Sequence, residues 1–165
     1  MRLRRGLEAH LGSRDVARVI YGAVVGLALV LALEAHPPGP GEAAGLLLGA
    51  AVAVGLAELY SEIIGTEARE RRRLDRPALR GMAGEALAVV VGAGFPAIFF
   101  VLAAGGAFEV DTAFKLSKWS GVVLLCGYAF LGARLAGFTA VRSLVHAAAV
   151  GLVGGALVAL KALLH

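Results

Sequence analysis

An all-α, polytopic membrane protein with five transmembrane helices is the fold class this sequence predicts, and three observations predict it. The chain has 165 residues, 59% hydrophobic and 17% charged, well to the apolar side of a water-soluble domain. Its apolar residues fall into five runs, and each is near the roughly 20 residues that a bilayer crossing needs. All thirteen arginines lie in three segments, the head, the 66–80 loop and the 134–142 turn, at alternate junctions between the runs. Five spans form a single membrane domain over 1–165 and leave no room for a soluble catalytic domain.

The first span is expected over about 16–35. It follows an Arg-rich head with Arg2, Arg4, Arg5, Arg14 and Arg18. A basic head before an apolar run has the look of a signal peptide, but the segment is read here as a retained span. His36-Pro37-Pro38-Gly39-Pro40-Gly41 then stops any helix, because proline lacks the N–H that a helix interior uses.

The second span covers about 43–64 and carries Glu58 and Glu62 in its second half. Thr66–Arg80 continues as a polar helical extension expected to end near Asp75-Arg76-Pro77. The third span covers about 81–104, with Glu85 near its start and Pro96 inside; neighbouring helices can satisfy the carbonyl a membrane proline frees. The fourth covers about 112–133, with Lys115, Lys118 and Trp119 in its first turns. The fifth covers about 140–164. The short 134–142 connection makes the last two spans antiparallel neighbours.

Charge sets the orientation. The connections 36–42 and 105–111 contain no Lys or Arg, and all three lysines fall towards that side. The positive-inside rule therefore places the N-terminus in the cytoplasm and the C-terminus outside, which five spans satisfy and four or six would not. No repeat of 20–50 residues is visible. An odd span count also argues against paired inverted halves unless a second chain supplies the partner.

Composition excludes several functions. The formal net charge of +4 comes from residues that flank apolar runs, so it orients helices and does not form a stripe for nucleic acid. Cys126 is the single cysteine, which rules out an intrachain disulfide. No nucleophile stands with a base at readable spacing, and no phosphate-cradling glycine loop or Cys/His ligand pattern is present. No enzyme activity and no resident cofactor are expected. Absent Asn and Gln, and Arg in excess over Lys, suggest a GC-rich bacterial genome and hence a bacterial cytoplasmic membrane. The 69–80 loop is basic enough to meet anionic lipid headgroups.

The chemistry is sought among charges at membrane depth. Glu58 and Glu62 share one helix face at i,i+4, and Glu85 should reach a similar depth as span three returns from the same surface. Carboxylates at that depth need cations, protons or arginines as partners. As oxygen ligands they suit Mn, Mg, Ca and Fe(II), so Glu58, Glu62 and Glu85 are the candidate metal site. The competing reading pairs them with Arg18, Arg134 or Arg142. Three acids converging without an arginine would favour cation chemistry, and interleaved arginines a scaffold.

Tyr21, Ser61, His146, Glu67 and Glu70 are candidate pathway or secondary residues, with Tyr21 and Tyr60 also readable as interfacial anchors and His146 as a packing residue. Snorkelling and an aromatic belt account for Lys115, Lys118 and Trp119; the alternative is that Lys115 or Lys118 faces an internal cavity and repels cations from the outer mouth. Exposed loop solvation accounts for Glu34, Glu42 and Glu109. The spaced pairs Gly22/Gly26, Gly45/Gly49 and Gly151/Gly155 permit close helix packing.

Gly55-Leu-Ala-Glu58-Leu-Tyr60-Ser61, followed by Glu67-Ala-Arg-Glu70-Arg-Arg-Arg73, resembles the Gly-Glu-Tyr-x-Ser segment and charged continuation of the vacuolar iron transporter (VIT) family. Leu131–Val145 is similar to that family's last helix hairpin, and Arg14-Asp15 to its start. The resemblance implies five spans, a cytoplasmic N-terminus, a homodimer, and proton-coupled export of Fe(II) or related divalent ions. Glu58 and Ser61 match the family's motif. Tyr21-Gly22 stands where the family has Asp-Gly, and Val54 or a neighbour where it has methionine. The cytoplasmic metal-binding insert is reduced to about fifteen residues that keep Glu67, Glu70 and Asp75.

Three functions follow: a VIT-like transporter of divalent cations of the Fe/Mn class, proton-coupled; a non-transporting scaffold or assembly protein of the same fold; or an oligomeric channel. The channel needs a polar stripe that span one lacks between Tyr21 and Glu34. The expected partners are the lipid bilayer and a second copy, with no nucleic acid.

Overall fold

A computed structural model describes the backbone over residues 13–164 and the side chains over 16–159. Arg2, Arg4, Arg5 and the side chains of Arg14, Asp15 and Lys161 lie outside the described residues. Within them the secondary structure is all helical: α1 Ser13–Leu33, α2 Pro40–Glu70, α3 Arg76–Gly94, α4 Ala97–Ala104, α5 Val110–Leu135 and α6 Ala140–Leu164.

Local chemistry sets the boundaries. The 36–40 breaker ends α1, and α2 starts on Pro40, where the missing N–H has no helical partner to lose. α2 runs for 31 residues, about 46 Å, and so outreaches a hydrocarbon core of about 30 Å. Its polar extension stops at Glu70, earlier than expected, because Arg71 turns left-handed at φ 51°. Glu67 accepts the Leu74 N–H at 3.1 Å and closes the turn. Asp75 caps α3 by accepting the Ala78 N–H at 3.0 Å, with Pro77 next in the first turn.

Among the described residues four helices, α1, α2, α5 and α6, are long and apolar enough to cross a membrane. The expected third span is broken. Pro96 splits it into α3 and α4, which meet at 51° and make the fifth candidate when taken together. The break follows from proline's missing donor. The Phe99 N–H donates to the Pro96 carbonyl at 3.2 Å. Ser117 Oγ, fully buried on α5, donates to the same carbonyl at 3.3 Å.

α1 is the central helix. It packs most extensively on α3 and then on α5; α2 covers α3 and α4, and α6 covers α5. The α1–α3 crossing is a backbone contact. A Cβ on Gly22 would press on the Val89 carbonyl oxygen and lie 3.0 Å from the Ala93 nitrogen. A Cβ on Gly92 would press on the Val19 carbonyl oxygen and lie 3.0 Å from the Ala23 nitrogen. Each contact repeats the other seventy residues along the chain. Gly26 continues the series against the Ala93 carbonyl, so α1 and α3 run parallel.

The same offset superposes the burial patterns. Residues 16–30 and 86–100 are buried and exposed in the same order, position by position. α2 and α5 begin at counterpart positions, Pro40 and Val110. The fold therefore contains a two-helix unit used twice, α1–α2 and then α3/α4–α5, with α6 added. Repeats that run parallel are related by an axis along the membrane normal. This period lies beyond the 20–50-residue window in which the sequence had none visible. The core of one end draws on both units, with Val30, Ala43, Ala44 and Leu47 beside Ala97, Phe100, Ala113 and Phe114. The Phe100 and Phe114 rings meet edge-on at 4.8 Å.

Candidate functional site

At the other end, where the 66–80 loop lies, α1, α2 and α3 each contribute charge to one cluster. Arg18 sits near the start of α1. Glu58 lies 18 residues into α2, about 27 Å from Pro40, near the inner limit of a hydrocarbon core measured from that end. Glu62 follows one turn later on the same face, and Glu85 comes from the middle of α3.

The Arg18 guanidinium touches all three carboxylates. Its Nη1 contacts Glu58 Oε1, and its Nη2 lies 3.2 Å from both Glu62 Oε2 and Glu85 Oε2. The four side chains are partly buried, with exposures of 24% for Arg18, 19% for Glu58, 34% for Glu62 and 17% for Glu85. Charge-assisted hydrogen bonds of this kind are stronger than neutral ones, and the cluster is not sealed inside the bundle. From its rim Arg69 approaches Glu62 at 4.0 Å and donates to Thr66 Oγ1 at 3.0 Å.

The structure thus brings Glu58, Glu62 and Glu85 together and also sets an arginine among them. Of the three arginines weighed as partners, Arg18 is the one in contact; Arg134 Nη1 instead donates to the Phe138 carbonyl at 2.9 Å. Among the described residues no group of three acid, His or Cys side chains is arranged to hold a metal ion directly. The guanidinium stands between the carboxylate oxygens.

The secondary candidates are dispersed. Tyr21 and Tyr60 point outward from the bundle. Ser61 Oγ donates to the Glu58 carbonyl at 3.0 Å, a local helix contact. His146 is exposed on α6, its ring tilted at 50° against Phe138 with centroids 5.1 Å apart and its Nδ1 3.1 Å from the Arg142 carbonyl. Glu67 closes the α2–α3 turn, and Glu70 pairs with Arg72 at 2.8 Å. Asp75 is the α3 cap.

One contact had no forewarning. Lys118 Nζ meets Glu34 Oε1 at 2.5 Å, with side-chain exposures of 20% and 26%. Neither residue is the snorkelling lysine or solvated loop acid expected of it. Opposite charges at the same end of two spans were the available signal, but nothing local indicated that α1 and α5 are neighbours there. A cavity of about 270 Å³ lies beside Lys118, between Trp119 and Val122 of α5 and Gly155, Val158 and Ala159 of α6.

The seventy-residue register shows how one-sided the charges are. Arg18 corresponds to Ala88, Glu58 to Tyr128, Glu62 to Gly132, Glu34 to Ala104 and Lys118 to Leu48. Glu85 alone has an acidic counterpart, Asp15. The cluster lies beside the α1–α3 crossing, and the counterpart positions of the other unit carry no comparable set of charges. Compared with known proteins, the chain matches no family model, no curated protein and no solved structure.

Proposed function

We propose that the chain is a VIT-like membrane transport protein for divalent cations of the Fe/Mn class, coupled to protons, in a bacterial cytoplasmic membrane with its N-terminus inside. The observation that carries this reading is the convergence of three carboxylates from two helices on a single, partly exposed point. In this arrangement Arg18 is the resident cation. An incoming divalent ion or protons would compete with the guanidinium for the oxygens of Glu58, Glu62 and Glu85. Withdrawal of the Arg18 side chain would free them, and its return would expel the ion. At the far end the Phe100–Phe114 core is the barrier that export would have to open.

The second reading is a non-transporting scaffold of the same fold. It is favoured by the same guanidinium, because an arginine that contacts all three acids is what a permanently neutralised cluster requires.

Flux separates the two. Purified protein in proteoliposomes should take up Mn(II) or Fe(II) saturably, with a pH change on the opposite sign of transport. Glu58→Gln with Glu62→Gln should abolish that flux. Unchanged flux in the double variant would remove these residues from the mechanism, and no wild-type flux of any divalent ion or proton would leave the scaffold standing.

A further inference from the structure

In the 66–80 segment the acids and the arginines are unequally used. The segment has six arginines against three acids, and each acid is engaged inside the turn. Glu67 accepts the Leu74 N–H, Glu70 pairs with Arg72 at 2.8 Å, and Asp75 accepts the Ala78 N–H. Arg69 is engaged too, on Thr66 Oγ1 and near Glu62. Arg71, Arg73, Arg76 and Arg80 remain. All four are exposed, and among the described residues no carboxylate pairs with any of them. The positive-inside rule accounts for arginines at a membrane surface, but not for their lack of counter-charge. At the neighbouring connection, by contrast, Arg134 closes its own turn through the Phe138 carbonyl.

We propose that the start of α3, through Arg76 and Arg80 with Arg71 and Arg73 of the preceding turn, is a docking site for the headgroup of an anionic phospholipid. Depth is the first argument. Arg80 lies five residues from Glu85 along α3, about 7.5 Å. That carries it from the level of the acidic cluster into the headgroup layer, which extends about 5–8 Å beyond the hydrocarbon. Arg76 is about one turn further out. Pairing is the second. Arg76 and Arg80 share one face of α3 at i,i+4, where like charges repel unless an anion lies between them, and guanidinium forks bind phosphate oxygens bidentately.

The third argument is that α3 supplies no compensation of its own. It has no acid in its first turn, whereas α2 and α5, which start at the opposite end of the bundle, have Glu42 and Asp111 there. The positive end of the α3 dipole therefore adds to the arginines. A lipid phosphodiester is favoured over a free phosphate because candidate spans lie on both sides of the turn and hold it at the bilayer surface, where basic segments gather anionic lipid. The site is separate from the Arg18 cluster and rests on no transport activity, so either can fail alone.

The test places the purified full-length chain in phosphatidylcholine nanodiscs with a trace of photoactivatable phosphatidylglycerol or, in parallel, of phosphatidylcholine carrying the same group near its headgroup. Labelling of 71–80 should be at least about five-fold higher with phosphatidylglycerol. The connections 36–42 and 105–111, which contain no Lys or Arg, should show no preference. Arg76→Gln with Arg80→Gln should lower the preference at 71–80 about three-fold or more. Excess inorganic phosphate, compared with NaCl of equal ionic strength, should not compete. Equal labelling by the two probes, a preference unchanged in the double variant, or full competition by inorganic phosphate overturns the proposal. If the double variant does not fold, salt decides on the wild type. The preference should then fall about three-fold between roughly 0.05 and 0.5 M NaCl as screening shortens, and a salt-independent preference overturns the site.

Discussion

The unit α1–α2 and the unit α3/α4–α5 use one backbone plan for different ends. Both present a glycine at the central crossing, and both bury the same positions along the first helix. α1 is unbroken and carries charges at each end, Arg18 to the carboxylates and Glu34 to Lys118. Its counterpart carries alanine at both places and is broken at Pro96, where α1 has Gly26. Corresponding positions beside the crossing thus share burial and differ in charge. Packing symmetry holds the bundle together, and the departure from symmetry marks where chemistry could be done.

The sharpest way to break this comparison is at the crossing itself. Gly22→Leu and Gly92→Leu should each destabilise the protein by about 3 kcal/mol, the upper range for overpacking, since each side chain would have to displace backbone. Thermal unfolding in detergent should give near-equal losses; tolerance of one and not the other would show that the units are not equivalent.

Next is the charged niche. Arg18→Leu should cost about 2 kcal/mol, less than the 3–5 of a fully buried pair because the cluster is partly exposed. The loss should shrink when Glu58, Glu62 and Glu85 are all glutamine, a coupling that a double-mutant cycle measures. Ala88→Arg, the counterpart change, faces Tyr128 and Gly132 positions and should not restore Arg18→Leu.

A smaller effect is expected at the break. Ser117→Ala should lose about 1 kcal/mol, one hydrogen bond to a buried carbonyl, and chemical denaturation would register it. Of similar size, Lys118→Gln should cost about 1 kcal/mol, above the usual value for exposed pairs because both side chains are mostly buried, with melting that responds less to added salt than in the wild type.

Much of the helix layout was legible because it is written locally. The 36–41 breaker, Pro77 and the apolar runs locate the helices to within a few residues. The depth shared by Glu58, Glu62 and Glu85 follows from counting along α2 and α3 from one surface. The break at Pro96 was underestimated, since a proline signals a lost donor but not how far the chain will bend. The partner of the acids was harder. Arg18, Arg134 and Arg142 flank the same end, and sequence distance does not say which helix stands beside α2 and α3. The Glu34–Lys118 pair was missed for the same reason, since 84 residues separate its members.

By itself the sequence determined that the chain is helical, where its apolar spans run and which charges lie at membrane depth, because hydropathy and helix breaking act along the chain over one or a few turns. The tertiary structure alone decided that α1 lies between α3 and α5, that Arg18 reaches three carboxylates, and that two units repeat at seventy residues. The repeat conserves which positions are buried far more than which residues fill them, and burial is created only when helices meet.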